Sequence, residues 1–356
     1  MSSLIEKLTP IWERVLQRTP IRLDDNFFDL GGDSSLALKL FTEIAQACGR
    51  ELPPVMIYQA PTITALAEVL EQPSLAKFPP LVQLKAGSEE PPVFIAHGMG
   101  GNVMDFFQLV KHIHSAHPIY GMQAKGIDGI EEPFERIEDM AGFFLKAIRA
   151  LQPSGPYLLV GYSLGGLVTL EIAQRLTRIG EKVGLLAMLE SYPHRRYLSV
   201  GQRLRLFARN VGRHAHTLAR LPMCEGISYL IHPAERLVYV PRNGSSRERN
   251  RTSVGTWFRP ATQRMRDRAY LALKRYQPHF YPDKIKFVRA ESCSEFPDDA
   301  AAVWACLAQQ IEVETVPGDH LGIINKHFQL LGAVLSRYLR EATEENPCRR
   351  REMIPS

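Results

Sequence analysis

Serine and histidine do chemistry together only when something holds them in place. The stretch "YLLVGYSLGGLVTLEIAQRL", residues 157–176, sets Ser163 between Gly161, Gly165 and Gly166. It reads as an apolar strand that turns sharply into an amphipathic helix. A side chain on so sharp a turn needs a strained backbone and close neighbours, and glycines two residues away on either side relieve the clashes. The turn lifts the hydroxyl off the sheet and places it before the free N–H groups of a helix N-terminus. The chemistry implied is nucleophilic attack by an activated serine.

A serine is a weak nucleophile at neutral pH and needs an adjacent base. On strand-to-helix serine turns of this kind the chain order is serine, acid, histidine. Of the eleven histidines, most precede Ser163 or belong to the segment that interrupts the pattern after it; only His279, His320 and His327 lie beyond. His320, in "VPGDHLGI" directly after the last expected strand, is the chosen base. The acid belongs at the end of the strand that follows the serine's helix, where "LLAMLESYP" offers Glu190. It would hold the imidazole tautomer and stabilise the imidazolium. Asp319 adjoins His320 and reads as a turn or capping residue. The oxyanion needs two N–H donors. One is expected from Leu164, the other from the glycine-rich loop "IAHGMGGN", at Met99 or its neighbour Gly98. His97 reads as a brace for that loop.

The elements that must position these residues follow from the pattern. From residue 93 onward strands and helices alternate: "PVFIAH", "PIYGMQ", "IEDMAGFFLKAIRALQ", "YLLVGY", the helix after Ser163, "VGLLAMLES", "KIKFVRA", "IEVETVPG" and "HFQLLGAVLSRYLREA". Such alternation predicts a mostly parallel sheet with helices on both faces. Residues 195–275 break the rhythm and read as a helical insertion, with 242–251 a mobile loop. Residues 1–72 form a separate all-helical unit. Helical spacing covers 3–17. A second helix starts at Asp33 or Ser34 and stops at Gly49. A short extended piece at 51–58 precedes a last helix capped by Thr62. Residues 73–92 are a proline-rich linker ending in one short strand, and 344–356 a disordered tail.

Length and composition agree with two domains. The chain has 356 residues, 45% hydrophobic and 23% charged, enough to bury a sizeable core. No apolar run reaches the ~18 residues of a membrane span, and the N-terminus lacks a signal-peptide pattern. The five cysteines, at 48, 224, 293, 306 and 348, form no CxxC pair and no metal-ligand spacing. That pattern fits a reducing cytosol. The net charge of +5 conceals an asymmetry: residues 195–275 hold 18 Lys/Arg against 4 Asp/Glu, and residues 1–76 hold 6 against 10. Most of the insertion's arginines read as solvated helix faces. A nucleic-acid partner finds no support elsewhere in the chain.

A second serine has a plain reading and a functional one. Ser34, in "FFDLGGDSSLALKL", starts a helix after a Gly-Gly turn and alone reads as an ordinary cap. Here a resemblance changes the reading. Residues 1–72 resemble a peptidyl or acyl carrier protein through this motif, with Ser34 at the position that carries 4′-phosphopantetheine. Residues 80–341 resemble the type I thioesterase domains that terminate nonribosomal peptide and polyketide synthases. The matching stretches are "PPVFIAHGMGGN", "PIYGMQAKGIDG", "QPSGPYLLVGYSLGGLVTLEIAQ", "LLAMLESYP" and "VPGDHLGI".

The resemblance implies an α/β-hydrolase domain at 93–343, its insertion 195–275 acting as a lid, preceded by a four-helix carrier. It implies an acyl or peptidyl thioester held at Ser34, transfer to Ser163, and release as an acid or as a lactone or lactam. The partners implied are a phosphopantetheinyl transferase and an upstream synthetase or adenylating enzyme that loads the carrier. The family usually has Asp where this chain has Glu190. That departure leaves a catalytically impaired carrier-binding module as one alternative; an editing hydrolase acting on other carriers is another. The basic lid is expected to steer the acidic carrier toward Ser163, and its aromatics Tyr229, Tyr239, Trp257 and Phe258 to line the acyl pocket or fill the lid's own core.

Overall fold

The computed structural model describes residues 2–50, 52, 54–72, 79–88, 90–127, 131–208, 259–292, 296–297 and 299–344. Most of the insertion lies outside the described residues, including Tyr229, Tyr239, Trp257, Phe258 and the segment 242–251. So does the tail from residue 345.

The N-terminal unit holds three α-helices, α1 (Ser2–Leu16), α2 (Ser34–Cys48) and α3 (Ile63–Glu71), and a 3-10 helix at Pro54–Tyr58. Asp33 caps α2 by accepting from the Leu36 N–H, and Gly49 ends it with a left-handed φ of 66°. Thr62 caps α3 through the Ala65 N–H. The 3-10 helix corrects the expected extended piece. Pro54 presets a helical φ at its first position, and a tight turn buries the three successive apolar residues Val55, Met56 and Ile57. Trp12, Phe27, Leu8 and Leu40 form the fully buried centre of this unit.

The larger unit is built on seven strands: β1 (Leu81–Lys85), β2 (Val93–Ala96), β3 (Ile119–Met122), β4 (Tyr157–Tyr162), β5 (Val183–Leu189), β6 (Tyr281–Ala290) and β7 (Ala308–Val316). They lie in the order β1-β3-β2-β4-β5-β6-β7. Only β1 is antiparallel to its neighbour. Every residue of β2 and β4 is buried, as strands covered on both faces must be.

Successive residues serve opposite layers. Phe94, Leu159 and Phe287 face α5 (Ile137–Leu151), α6 (Leu164–Arg178), α7 (Arg259–Arg275) and α8 (Ala300–Trp304). Ile95, Val160 and Val288 face α4 (Phe107–Lys111), α9 (Gly322–Asn325) and α10 (Phe328–Glu344). This is the α/β-hydrolase architecture.

Of the insertion, a 3-10 helix at Arg195–Tyr197, a helical segment at 200–208 and α7 are described. On α7, Arg264 and Arg268 lie 3.9 and 3.5 Å from Glu132, and Arg275 lies 2.5 Å from Glu135, which also pairs with Arg268. These arginines tie the insertion's returning helix to the loop before α5. No helix among the described residues is long and apolar enough to cross a membrane.

Candidate active site

Ser163 stands between β4 and α6 with φ 54° and ψ −119°, a conformation few side chains adopt. Its neighbours show why glycine surrounds it. A Cβ on Gly161 would lie 2.4 Å from the Gly165 carbonyl oxygen, and one on Gly165 would lie 2.4 Å from that of Ala96. One on Gly166 would meet Ser191 Oγ at 2.4 Å. The Ser163 N–H still donates to Leu189 O at 2.9 Å, so the strained residue stays tied to the end of β5.

His320 follows β7 in the turn that Gly318 opens with φ 103°. Its Nε2 lies 3.1 Å from Ser163 Oγ. Asp319 accepts from the Gly322 N–H at 2.7 Å, a bond within the turn that leads into α9. Glu190 sits one residue past β5 at φ 45°. Its carboxylate is fully buried, with Oε1 accepting from the Ala290 N–H at 2.5 Å. Oε2 lies 3.6 Å from His320 Nδ1, close enough for strong attraction in a buried setting but longer than a hydrogen bond. His279 is exposed, and His327 packs under Gly318. The three sequence-expected residues are therefore brought together.

The glycine-rich loop after β2 closes over the same place. A Cβ at Gly98 would touch the Tyr162 ring at 3.1 Å and lie 3.6 Å from Ser163 Cβ. Met99 and Leu164 both line the cleft that opens above Ser163. His97 is buried against Phe144, with its Nδ1 2.7 Å from Gly98 O. Burial drives its pKa below the usual histidine value, and the bond to Gly98 only partly opposes this. A neutral imidazole with the proton on Nδ1 braces the loop. The rest of the cleft is mainly apolar, walled by Tyr192, Leu198, Leu206, Leu273 and Phe296. At its rim His194 is also held neutral, by burial and by the cations Arg196, Lys274 and Arg195.

Two contributors carried no sequence signal. Tyr162 donates its hydroxyl to the His320 carbonyl at 2.8 Å and stacks on that ring at 5.1 Å. Phe296 covers the imidazole at 5.2 Å and stacks on Tyr192 at 4.7 Å. Both partnerships join distant parts of the chain, and a local pattern does not reveal them.

Ser34 opens the 15-residue α2. Gly31 turns at φ 94° with no atom within 4 Å of where its Cβ would stand, so the approach to this turn is open. Asp33 satisfies the Leu36 N–H, while the earlier N–H groups at the helix start have no intrahelical partner. A hydroxyl-bearing residue at such an open, dipole-positive end fits a phosphodiester.

An α/β-hydrolase core with a serine on a strand-to-helix turn, joined to a helical unit with an attachment turn, defines a carrier–thioesterase class of protein. Residues 91–340 match the thioesterase domain model and residues 6–70 the phosphopantetheine attachment site; the chain belongs to the thioesterase domain family and carries a phosphopantetheine attachment domain. Similar proteins include a dimodular nonribosomal peptide synthase of Bacillus subtilis (strain 168), 42% identical over 190 residues, which are 53% of this chain and 8% of that protein. The indigoidine synthase of Dickeya dadantii (strain 3937) is 36% identical over 186 residues, 52% of this chain and 12% of that protein. The match thus spans a small part of these relatives' length.

Among solved structures, a four-domain nonribosomal peptide synthetase bound to AMP and glycine aligns with 94% of this chain and 26% of its own, at TM-score 0.56 and 23% identity. A type II thioesterase of the yersiniabactin pathway aligns with 74% of this chain and 99% of its own, at TM-score 0.52 and 15% identity. At these identities the likeness establishes the fold.

Proposed function

We propose that this chain releases an acyl or peptidyl chain from its own carrier domain in natural-product biosynthesis, with Ser163 as nucleophile, His320 as general base and Glu190 as the group that orients the imidazole and stabilises the imidazolium. The observation that carries the reading is the 3.1 Å contact between His320 Nε2 and Ser163 Oγ on a strained strand-to-helix turn. The 4′-phosphopantetheine arm on Ser34 supplies a reactive thioester carbonyl. Ser163 Oγ bonds to that carbonyl carbon while its proton passes to His320 Nε2. The oxyanion accepts from the Leu164 and Met99 N–H groups, donors fixed before charge develops. Collapse breaks the C–S bond, and His320 returns the proton to the leaving sulfur. His320 then deprotonates water, or a hydroxyl or amine of the substrate itself, which bonds to the acyl carbon; the C–O bond to Ser163 breaks, His320 returns the proton to Oγ, and an acid, a lactone or a lactam is released.

The division into a carrier at 1–72, a linker at 73–92 and a thioesterase at 93–343 with a lid at 195–275 belongs to the same proposal. So do cytosolic location, a phosphopantetheinyl transferase that modifies Ser34 and an upstream synthetase that loads it. The basic lid would add local steering of the acidic carrier, within the ~8 Å Debye length of physiological salt. A second reading, an impaired carrier-binding module, is favoured by the 3.6 Å separation of Glu190 from His320.

A fluorophosphonate probe separates the two. Rapid adduct formation on Ser163, lost in Ser163→Ala and slowed in His320→Ala, supports the enzyme; an unlabelled wild type supports the module. Mass gain from coenzyme A and a phosphopantetheinyl transferase, lost in Ser34→Ala, tests the carrier.

A further inference from the structure

The two phenylalanines of "NFFDLGG" point to different units. Phe27 belongs to the carrier's own core: it meets Trp12 edge-on at 5.4 Å, and its main-chain oxygen accepts from the Gly32 N–H at 2.8 Å. A Cβ on Gly32 would strike the Phe27 ring at 2.3 Å, so the attachment turn is moulded on this residue. Phe28 continues the run outward. Its ring lies 5.0 Å from Tyr58 and 5.2 Å from Phe107, and Tyr58 lies 6.2 Å from Phe107. Phe107 belongs to the thioesterase unit. It is buried, yet it joins neither apolar cluster of that unit's sheet. Lys111 caps its ring, with Nζ 4.1 Å from the centroid. Val82, Val103 and Met104 share one apolar cluster with the carrier's residues.

The seat lies among the elements that frame Ser163. Val103–Phe106 form a 3-10 helix that leads into α4, and this helix directly follows the glycine-rich loop, whose Asn102 accepts from the Met104 N–H at 2.9 Å. On its other side α4 packs through Leu109 and Val110 into the cluster that holds Ile323 and Ile324 of α9. That helix starts two residues after His320. One detail weakens the seat: the Tyr58 hydroxyl is buried there with no hydrogen-bond partner among the described residues, and burial raises its pKa. A buried hydroxyl left unpaired opposes the contact that buries it.

We infer that Phe107 is the docking residue for the chain's own carrier, gripping Phe28 and Tyr58 beside the active end of the sheet, and that the unpaired Tyr58 hydroxyl keeps this contact reversible. A carrier that must be modified and loaded elsewhere and then unloaded at Ser163 needs a contact that is specific and can open. Aromatic anchors in small apolar interfaces carry much of the binding, and an intramolecular partner is present at high effective concentration.

The test uses the full chain and needs no turnover, so its outcome stands apart from that of the proposed release reaction. In wild type, backbone 15N relaxation is expected to give carrier and thioesterase amides one correlation time. In Phe107→Ala the carrier amides should show a correlation time roughly twofold shorter, with slower transverse relaxation, while the thioesterase spectrum is retained; Phe28→Ala gives the same readout from the other side should Phe107→Ala fail to fold. Tyr58→Phe, which removes the unpaired hydroxyl, should hold the carrier harder and slow modification of Ser34 by a phosphopantetheinyl transferase, by roughly fivefold or more. Independent tumbling already in wild type, unchanged coupling in both Ala variants, or unchanged modification in Tyr58→Phe would each overturn the assignment.

Discussion

Tyr162 donates its hydroxyl to the main-chain carbonyl of His320 at 2.8 Å and lays its ring against the imidazole. The residue just before the nucleophile thus fixes the backbone of the base. A neutral hydrogen bond is worth about 1 kcal/mol net, and the loop it holds must place Nε2 within reach of Oγ. Tyr162→Phe keeps the ring contact and loses the bond. The expected result is a kcat lower by about fivefold with KM unchanged, and a similar slowing of fluorophosphonate labelling at Ser163. Wild-type kinetics in this variant would remove Tyr162 from the positioning apparatus.

Glu190 faces two demands. Its Oε1 accepts from the Ala290 N–H at 2.5 Å, and Oε2 stands 3.6 Å from His320 Nδ1. Aspartate, one methylene shorter, cannot meet both from the same backbone. Glu190→Asp is therefore expected to lower kcat by about tenfold, since small misplacements of catalytic groups are costly. Glu190→Gln should cost more, about 10²–10⁴-fold, because the charge that stabilises the imidazolium is gone. Steady-state kinetics on a soluble acyl thioester reads both. A Glu190→Asp variant faster than wild type would mean that the glutamate is a handicap.

The serine turn and the loops bearing His320 and Glu190 were legible because each lies beside a strong local signal. Glycines crowd Ser163, and apolar runs end just before Glu190 and near His320. Strand-and-helix alternation located the sheet. The short pieces at Val103–Phe106, α4, α8 and α9 escaped notice, since four or five residues carry no period. The sequence read residues 51–58 as extended, because consecutive prolines look the same before a strand and before a 3-10 turn. The Tyr162–His320 and Phe28–Phe107 partnerships exist only once the chain has closed on itself.

Two glycines respond oppositely to the same change. Gly165 faces the end of β2, and its added Cβ would lie 2.4 Å from Ala96 O and 2.5 Å from His97 O. Neither backbone oxygen can swing away, so Gly165→Ala should cost about 3 kcal/mol and lower Tm by roughly 5–10 °C. Gly201 lies in the helical segment 200–208 with nothing within 4 Å of an added Cβ. Gly201→Ala gains helix propensity and should stabilise by about 0.5–1 kcal/mol. Thermal melts of the two variants beside wild type check the pair; equal shifts would refute the contact argument.

His97 makes stability depend on pH. In the unfolded chain it has the ordinary histidine pKa of about 6.5; in the folded protein burial lowers it. The unfolded state therefore binds a proton that the folded state refuses. The stabilisation is complete above about pH 6.5, declines as pH falls below that value, and levels off once the folded pKa is passed. One such proton gives a slope of up to about 1.4 kcal/mol per pH unit. His117 shares the direction, since burial lowers its pKa too, so a smaller slope between pH 5 and 6.5 should remain when His97 alone is replaced. His97→Gln retains a donor for Gly98 O and does not titrate. Urea melts across this window should show the Gln variant losing less stability on acidification than wild type. Parallel curves would mean that His97 is protonated as readily in the folded protein as in the unfolded chain, and the loop it braces would then need another support.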